Sequence, residues 1–400
     1  MKSVIVGLLI SAVVMSTFAG AYAQQPQLAT YRETAQVLVD EKIQNQTTAF
    51  VTLSSTSPLE MRVPTTLDQK IANTANVTSI AITNTDSCVP GVTGQTCVLI
   101  TIYSPALIES YNITKIQTVT RTIGDSLIGD INKAFLLDAT FNSVYIRPKG
   151  ELSGALGTSG ALSGNRTISA VYTAPQLKSS YLFDQLTSIL LPQQIRNGGG
   201  FYDVARKLSD ATNSTVTFAI TPTTTNSRSI YQLQVSAHSP IKGEVTAIRP
   251  LDFFGISQLN RSSYFSGGFF PLNSLVQVSV LSRNDTSITS DAGNTVPTNS
   301  QGIPTDLNKS GWVFDPSSGQ QVTGIYIFGT TTSATNDDLA LTIGPPSSQP
   351  NQQTNSSSGG APHTDNPDYS TYVIVGIVIA GGAAVYLFMR RRGLENQNSG

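Results

Sequence analysis

One stretch near the C-terminus constrains this chain more than any other feature. Residues 372–389 run for 18 positions without a charge, and Arg390, Arg391 and Arg392 follow at once. At 1.5 Å per residue such a helix spans about 27 Å, close to the hydrocarbon thickness of a bilayer. Asp365 and Asp368 precede the run, so the charge asymmetry orients the arginines towards the cytoplasm and everything upstream outside. A buried core helix would not carry three arginines fused to its end. Within the run, Gly376, Ala380 and Ala384 recur at four-residue spacing, a stripe of small residues through which two copies of the helix could pair as a homodimer.

The other end agrees with that topology. Lys2, an apolar stretch over 4–14 and Ala21-Tyr22-Ala23 form a secretory signal, with cleavage expected after Ala23. No cysteine follows the apolar stretch, which excludes a lipid-anchored N-terminus. Between the ends, residues 345–371 are rich in Pro, Ser, Asn and Gln and read as a disordered polar stalk. As a flexible coil it would average roughly 30 Å end to end. The tail, 390–400, is too short for a folded signalling unit, so function is expected in residues 24–344.

Composition narrows the classes of function. Charged residues are 12% of the chain, where an average domain has about 25%. Hydroxyls and amides fill the gap, with 93 Ser plus Thr and 23 Asn. The net charge of -1 gives no polybasic surface, and no nucleic-acid partner is expected. Two cysteines and two histidines exclude a multi-cysteine zinc module or an iron–sulfur site, and no cofactor signature is present.

Cys88 and Cys97 flank a Pro90-Gly91 turn between β-rich segments, and in an oxidising compartment they are expected to form a disulfide that clips a hairpin. The rival reading, a redox-active pair, lacks C-x-x-C spacing. Nine Asn-x-Ser/Thr sequons are glycosylation candidates on the exterior side: Asn45, Asn76, Asn112, Asn165, Asn213, Asn260, Asn284, Asn308 and Asn355.

The fold class reads as α+β with two extracellular domains. A Gly/Ser-rich segment, 149–164, separates a unit over 24–148 from a more β-rich unit over 165–344. Strands are expected at 50–54, 79–83, 98–103 and 143–146, then at 216–221, 230–237, 275–281, 322–328 and 339–343. Ile113, Ile116, Val119, Ile123, Leu127, Ile131 and Phe135 have the period of an amphipathic helix. Helices are also expected at 181–191 and 201–208, interrupted by Pro192 and Gly198-Gly199-Gly200. Residues 70–85 and 207–223 echo one another when one residue is inserted, and Ser104-Pro105 and Ser239-Pro240 follow at matching places. A duplicated helix–hairpin unit would give such an echo, but in so threonine-rich a chain coincidence is the favoured reading.

Catalytic constellations are thin. His238 stands near a strand end without a Gly-x-Ser-x-Gly elbow, and reads as a half-buried histidine beside a turn. Paired carboxylates for glycoside chemistry find no aromatic-rich setting, and Asn284-Asp285 and Asp337-Asp338 lack a calcium-loop pattern. Gly198-Gly199-Gly200 lacks the Lys and Ser/Thr of a phosphate loop and reads as a hinge. Phe253, Phe254, Tyr264, Phe265, Phe269 and Phe270 gather among Gly and Ser, either as an exposed contact loop or as core. The layout is similar to that of many archaeal and bacterial surface proteins. The expectation is a non-catalytic envelope protein that binds an extracellular protein or glycan, adheres or supports an outer layer. The alternatives are a membrane-tethered hydrolase and an accessory subunit of a membrane complex.

Overall fold

The computed structural model describes residues 31–344 except 59, 106, 108–111, 147–167, 223–228, 262–273, 282–285, 299–303, 307 and 316–320. The chain is a mixed α/β protein built on one large sheet with few helices. The signal, the stalk, the hydrophobic run and the tail all lie outside the described residues. Among those described, no helix is long and apolar enough to cross a membrane.

The chain begins with a hairpin, β1 (Tyr31–Asp40) and β2 (Gln46–Ser55), followed by helix α1 (Thr65–Asn73) and strand β3 (Val77–Thr83). A small clip, β4 (Ser87–Val89) with β5 (Val92–Thr93), leads into β6 (Gln95–Ile102). The long helix α2 (Ile113–Phe135) then crosses to β7 (Thr140–Ile146). After it come β8 (Ile168–Pro175), the helices α3 (Ser179–Leu190), α4 (Gln193–Asn197) and α5 (Phe201–Ser209), and the strands β9 (Ser214–Pro222) and β10 (Ser229–Pro240). The last part holds β11 (Ala247–Ile248), α6 (Pro250–Phe253), β12 (Gln258–Asn260), β13 (Ser274–Leu281) and β14 (Ser287–Ser290). It ends with β15 (Gly311–Asp315), β16 (Gln321–Ile327), β17 (Ser333–Thr335), α7 (Asn336–Leu339) and β18 (Leu341–Gly344).

Eleven strands form one sheet in the order β15-β16-β13-β1-β2-β10-β9-β3-β6-β8-β7. The sheet does not divide at 149–164, where the sequence suggests a domain boundary: β7 and β8, on either side of that segment, pair with each other as an antiparallel hairpin. Strands from before and after it alternate across the sheet, because β2 pairs with β10 and β6 pairs with β8.

This interleaving has a two-fold logic. One unit runs β1-β2-α1-β3-β6, the other β7-β8-(α3, α4, α5)-β9-β10, and β3 lies antiparallel to β9 at the centre. Ala81 faces Ala219 there, Ile80 faces Ile220 and Ile82 faces Phe218. Exchanging the units turns the pair Ile80–Ile220 into Phe218–Ile82, which is also a ladder pair. The outward neighbours match as well: β3–β6 with β9–β10, β6–β8 with β10–β2, and β8–β7 with β2–β1, all antiparallel. The sequence echo is therefore a repeated structural unit, longer than the helix and hairpin that carry the similarity. Each unit's first hairpin pairs with the other unit's last strand, so the two halves build their sheet together.

One face of the sheet carries the core. Val37, Val39, Val51, Leu53, Ile80, Ile82, Val98, Ile100, Phe218 and Leu233 alternate inward and meet Leu127, Ile131 and Phe135 of α2, Leu182, Phe183 and Leu186 of α3, and Phe201, Val204 and Leu208 of α5. Burial of this kind contributes about 25 cal/mol per Å2 of apolar surface. Helix α2 is capped by Asn112, whose Oδ1 accepts the Lys115 N–H at 2.9 Å, and it ends at Leu136 in the left-handed region. On the opposite face, Cys88 and Cys97 are joined by a disulfide, with a Cα–Cα distance of 6.4 Å, and pack with Val89, Val92 and Val171.

Candidate functional site

The face of the sheet opposite the helices carries a set of buried hydroxyl and amide side chains. Side chains alternate along a strand, so the residues between the core positions of β1, β2, β10, β13 and β16 share that face. They include Thr34, Gln36, Thr48, Thr52, Gln234, Ser236, Gln277, Ser279 and Thr323, all buried. A polar group taken from water needs a partner, and several of these find one along and across the strands. Gln36 donates from Nε2 to Gln277 Oε1 at 2.9 Å, Gln277 donates to Ser279 Oγ at 3.3 Å, and Ser279 meets Thr323 Oγ1 at 3.1 Å. The register of β1, β13 and β16 makes this ladder continuous, since Gln36 faces Gln277 and Ser279 faces Thr323. Thr83–Thr217 at 2.8 Å and Thr101–Ser169 at 3.0 Å repeat the device farther along the sheet. Phe50, 1% exposed, lies between Gln36 and Ser236 in the same register.

His238 belongs to this face. It sits opposite Thr48 on β2, and its Nδ1 is 3.0 Å from Thr48 Oγ1. Burial lowers its pKa below the ordinary value, and the charge of Asp86 opposes that only in part. A hydroxyl beside a neutral imidazole is the beginning of a nucleophile–base pair, but Thr48 is only 3% exposed. The pair ties β2 to β10. Its linkage has a definite sign. Below the unfolded value of about 6.5 the unfolded chain takes up a proton that the folded chain refuses, so stability falls as pH drops from there towards the folded pKa. Melting temperatures recorded between pH 7.5 and 5 should therefore decline, and His238→Gln should flatten the decline. An unchanged slope in the variant would show that other groups set it.

Several acidic residues accept structural hydrogen bonds. Asp68 Oδ1 accepts from Ser229 Oγ at 2.7 Å and from Tyr231 Oη at 2.6 Å, fastening α1 to β10. Burial and this bond raise the Tyr231 pKa strongly. Asp125 Oδ1 accepts from Tyr172 Oη at 2.8 Å, joining α2 to β8, and burial again leads the upward shift of the tyrosine. Burial, with Asp338 nearby, pushes Tyr326 up to about 12. Asp338 closes a capping box with Thr335 at the start of α7, and Asp337 lies 3.6 Å from Arg249 on the exposed surface. Among the described residues no three His, Cys, Asp or Glu side chains converge as metal ligands would. Gly199 and Gly200 take positive φ of 75° and 70° in the break between α4 and α5.

The other predicted residues separate clearly. Six sequon asparagines are described, Asn45, Asn76, Asn112, Asn213, Asn260 and Asn308, and every one is exposed. Asn45 and Asn76 occupy turns with φ of 50° and 68°. Asn76 and Asn213 are equivalent under the internal two-fold, each closing a helix-to-strand turn. Asn165, Asn284 and Asn355 lie outside the described residues. Phe254 is 2% exposed within the core, and Phe253, half-buried, packs against it. Tyr264, Phe265, Phe269 and Phe270, and the Gly376, Ala380 and Ala384 stripe, lie outside the described residues. The Asp68–Tyr231 and Thr48–His238 pairs have no sequence signal, because the fold brings together positions more than 160 residues apart.

No protein-family model matches this sequence, and no curated protein matches it.

Proposed function

We propose that this chain is a single-pass cell-surface protein that presents a glycosylated ectodomain, through which it binds an extracellular protein or glycan or supports an outer layer. The observation that carries the reading is the exposure of all six described sequon asparagines, drawn from five turns or helix starts and one short strand. A disulfide-clipped hairpin fits the same oxidising compartment. In this reading residues 1–23 are removed on export, residues 345–371 hold the folded part off the membrane, residues 372–389 span the bilayer and residues 390–400 stay inside.

Protease treatment of intact cells, followed by glycopeptide mapping, tests the two halves of this reading separately. We expect residues 24–371 to be digested from outside and hexose-bearing peptides to cover several of Asn45, Asn76, Asn112, Asn213, Asn260 and Asn308. A chain protected in intact cells overturns the topology. Digestion of bare, unmodified peptides keeps the topology and removes the glycan.

A further inference from the structure

One row of side chains crosses the face of the sheet opposite the helices, from β7 to β1. Ser143 of β7 faces Val171, Val171 faces Leu99, and Leu99 faces Ala81. Across the two-fold, Ala81 faces Ala219, Ala219 faces Gln232, Gln232 faces Ser54 and Ser54 faces Arg32 of β1. The two-fold therefore carries Leu99 to Gln232, Val171 to Ser54 and Ser143 to Arg32. The halves of the row differ in chemistry. Leu99 and Val171 are apolar and pack with the Cys88–Cys97 clip. Their counterparts are an amide and a hydroxyl beside a guanidinium. The clip is an insertion between β3 and β6, whereas β9 and β10 are joined by the shorter link 223–228, outside the described residues.

Among the described residues no carboxylate or other acceptor meets the Arg32 guanidinium, and burial alone lowers its pKa from the ordinary value. A charge drawn from water without a partner is costly, and this row sets Arg32 beside neutral groups. Exposure falls from the row inward. Arg32, Ser54 and Gln232 are half-buried, whereas the next row, Thr34, Thr52 and Gln234, is buried. Among the described residues the side chains of Thr34, Thr52, Gln232 and Gln234 make no hydrogen bond to protein. We propose that Arg32, Ser54 and Gln232, backed by Thr34, Thr52 and Gln234, bind a carboxylate-bearing sugar of the uronic-acid class. A guanidinium fork matches a planar carboxylate with two parallel hydrogen bonds. Amides and hydroxyls both donate and accept, as the ring hydroxyls of a sugar require. One cation with no second beside it suits an acid unit that carries one charge.

This names the ligand class for the contact role proposed above and rests on it, but the two fail separately. Digestion of intact cells reports where the ectodomain lies, and titration reports what it binds. The full-length chain in neutral detergent, titrated calorimetrically with tetragalacturonate, is expected to bind. The methyl ester, which keeps the sugar and removes the charge, should bind at least about tenfold more weakly, and Arg32→Gln should lose as much for the acid. Without ligand, Arg32→Gln should melt no lower than the wild type, since it removes a buried charge that has no partner. Four titration results would overturn the inference: no binding, equal binding of acid and ester, binding that survives Arg32→Gln, or inorganic sulfate bound as tightly as the sugar acid. A lower melting temperature in Arg32→Gln would overturn it as well, by giving the guanidinium a role in the fold.

Discussion

Replacing Trp312 with alanine is expected to lower the melting temperature of this protein by about 10 °C, the equivalent of roughly 3–5 kcal/mol for an emptied aromatic site. Trp312 is fully buried on β15, stacked at 6.0 Å on Phe314 and meeting Tyr326 edge-on at 5.5 Å. It also fills a gap that the sheet cannot fill itself. Gly324 faces Phe314 on β16, and a Cβ placed on it would come within 3.1 Å of both rings. The two aromatics therefore cover a glycine that has no side chain of its own. Among the described residues the indole N–H has no hydrogen-bond partner. An unsatisfied buried donor costs about 1–3 kcal/mol, so Trp312→Phe, which removes it and keeps much of the ring, should be far milder than Trp312→Ala. Thermal unfolding of both variants checks the pair. Equal losses would mean that the indole N–H is satisfied in solution.

The elements legible in the sequence are those whose side chains face two environments. Helix α2 was expected from apolar residues at Ile113 through Phe135, and its bounds are Ile113–Phe135. Even so, the stripe is rotated. Ile113 is 61% exposed and Val119 36%, while the buried line includes Thr120 and Gly124. Periodicity counts apolar residues, and a helix that lies close on a sheet needs small ones at the contact. Strand β1 went unseen because Arg32, Glu33, Gln36 and Asp40 mask its pattern, although Glu33 and Asp40 are each 1% exposed. A carboxylate held by Tyr31, as Glu33 is at 3.0 Å, looks like surface in a linear reading. Similarly β8 and β15 carry no alternation strong enough to stand out from threonine- and glycine-rich surroundings.

Topology was the least legible level, and the internal echo was its best sign. A glycine- and serine-rich stretch marks an easy place to part a chain, and 149–164 has that composition. β7 and β8 nevertheless pair directly across it, and the contacts that make one sheet of the chain, Thr48 with His238 and Gln36 with Gln277, join positions 190 and 241 residues apart. The polar face was invisible for the same reason. Threonines and glutamines on five strands look like solvent-facing residues until the register sets Gln36 beside Gln277 and Thr48 beside His238.

The contact between α2 and β8 yields the second large effect. Gly124 faces the sheet, and a Cβ there would lie 2.4 Å from Tyr172 Oη and 2.9 Å from Ala170 Cβ. Alanine favours a helix interior over glycine by about 1 kcal/mol, so an exposed Gly124→Ala would be stabilising. Here overpacking opposes it by about 1–3 kcal/mol. The displaced Tyr172 also loses its 2.8 Å bond to Asp125, a bond to a charged acceptor of about 1.5–3 kcal/mol. Asp125 meets Arg121 at 3.3 Å, and Arg121 stacks over Phe141 of β7 at 4.4 Å, so the disturbance reaches the edge strand. The net expectation is a loss of about 2–4 kcal/mol. Because the clash and the hydrogen bond share one oxygen, the two positions must couple. Tyr172→Phe should cost less in a Gly124→Ala background than in the wild type. If Gly124→Ala instead raised the melting temperature, helix propensity would outweigh the contact, and α2 would have to sit farther from β8 than the Tyr172–Asp125 bond allows.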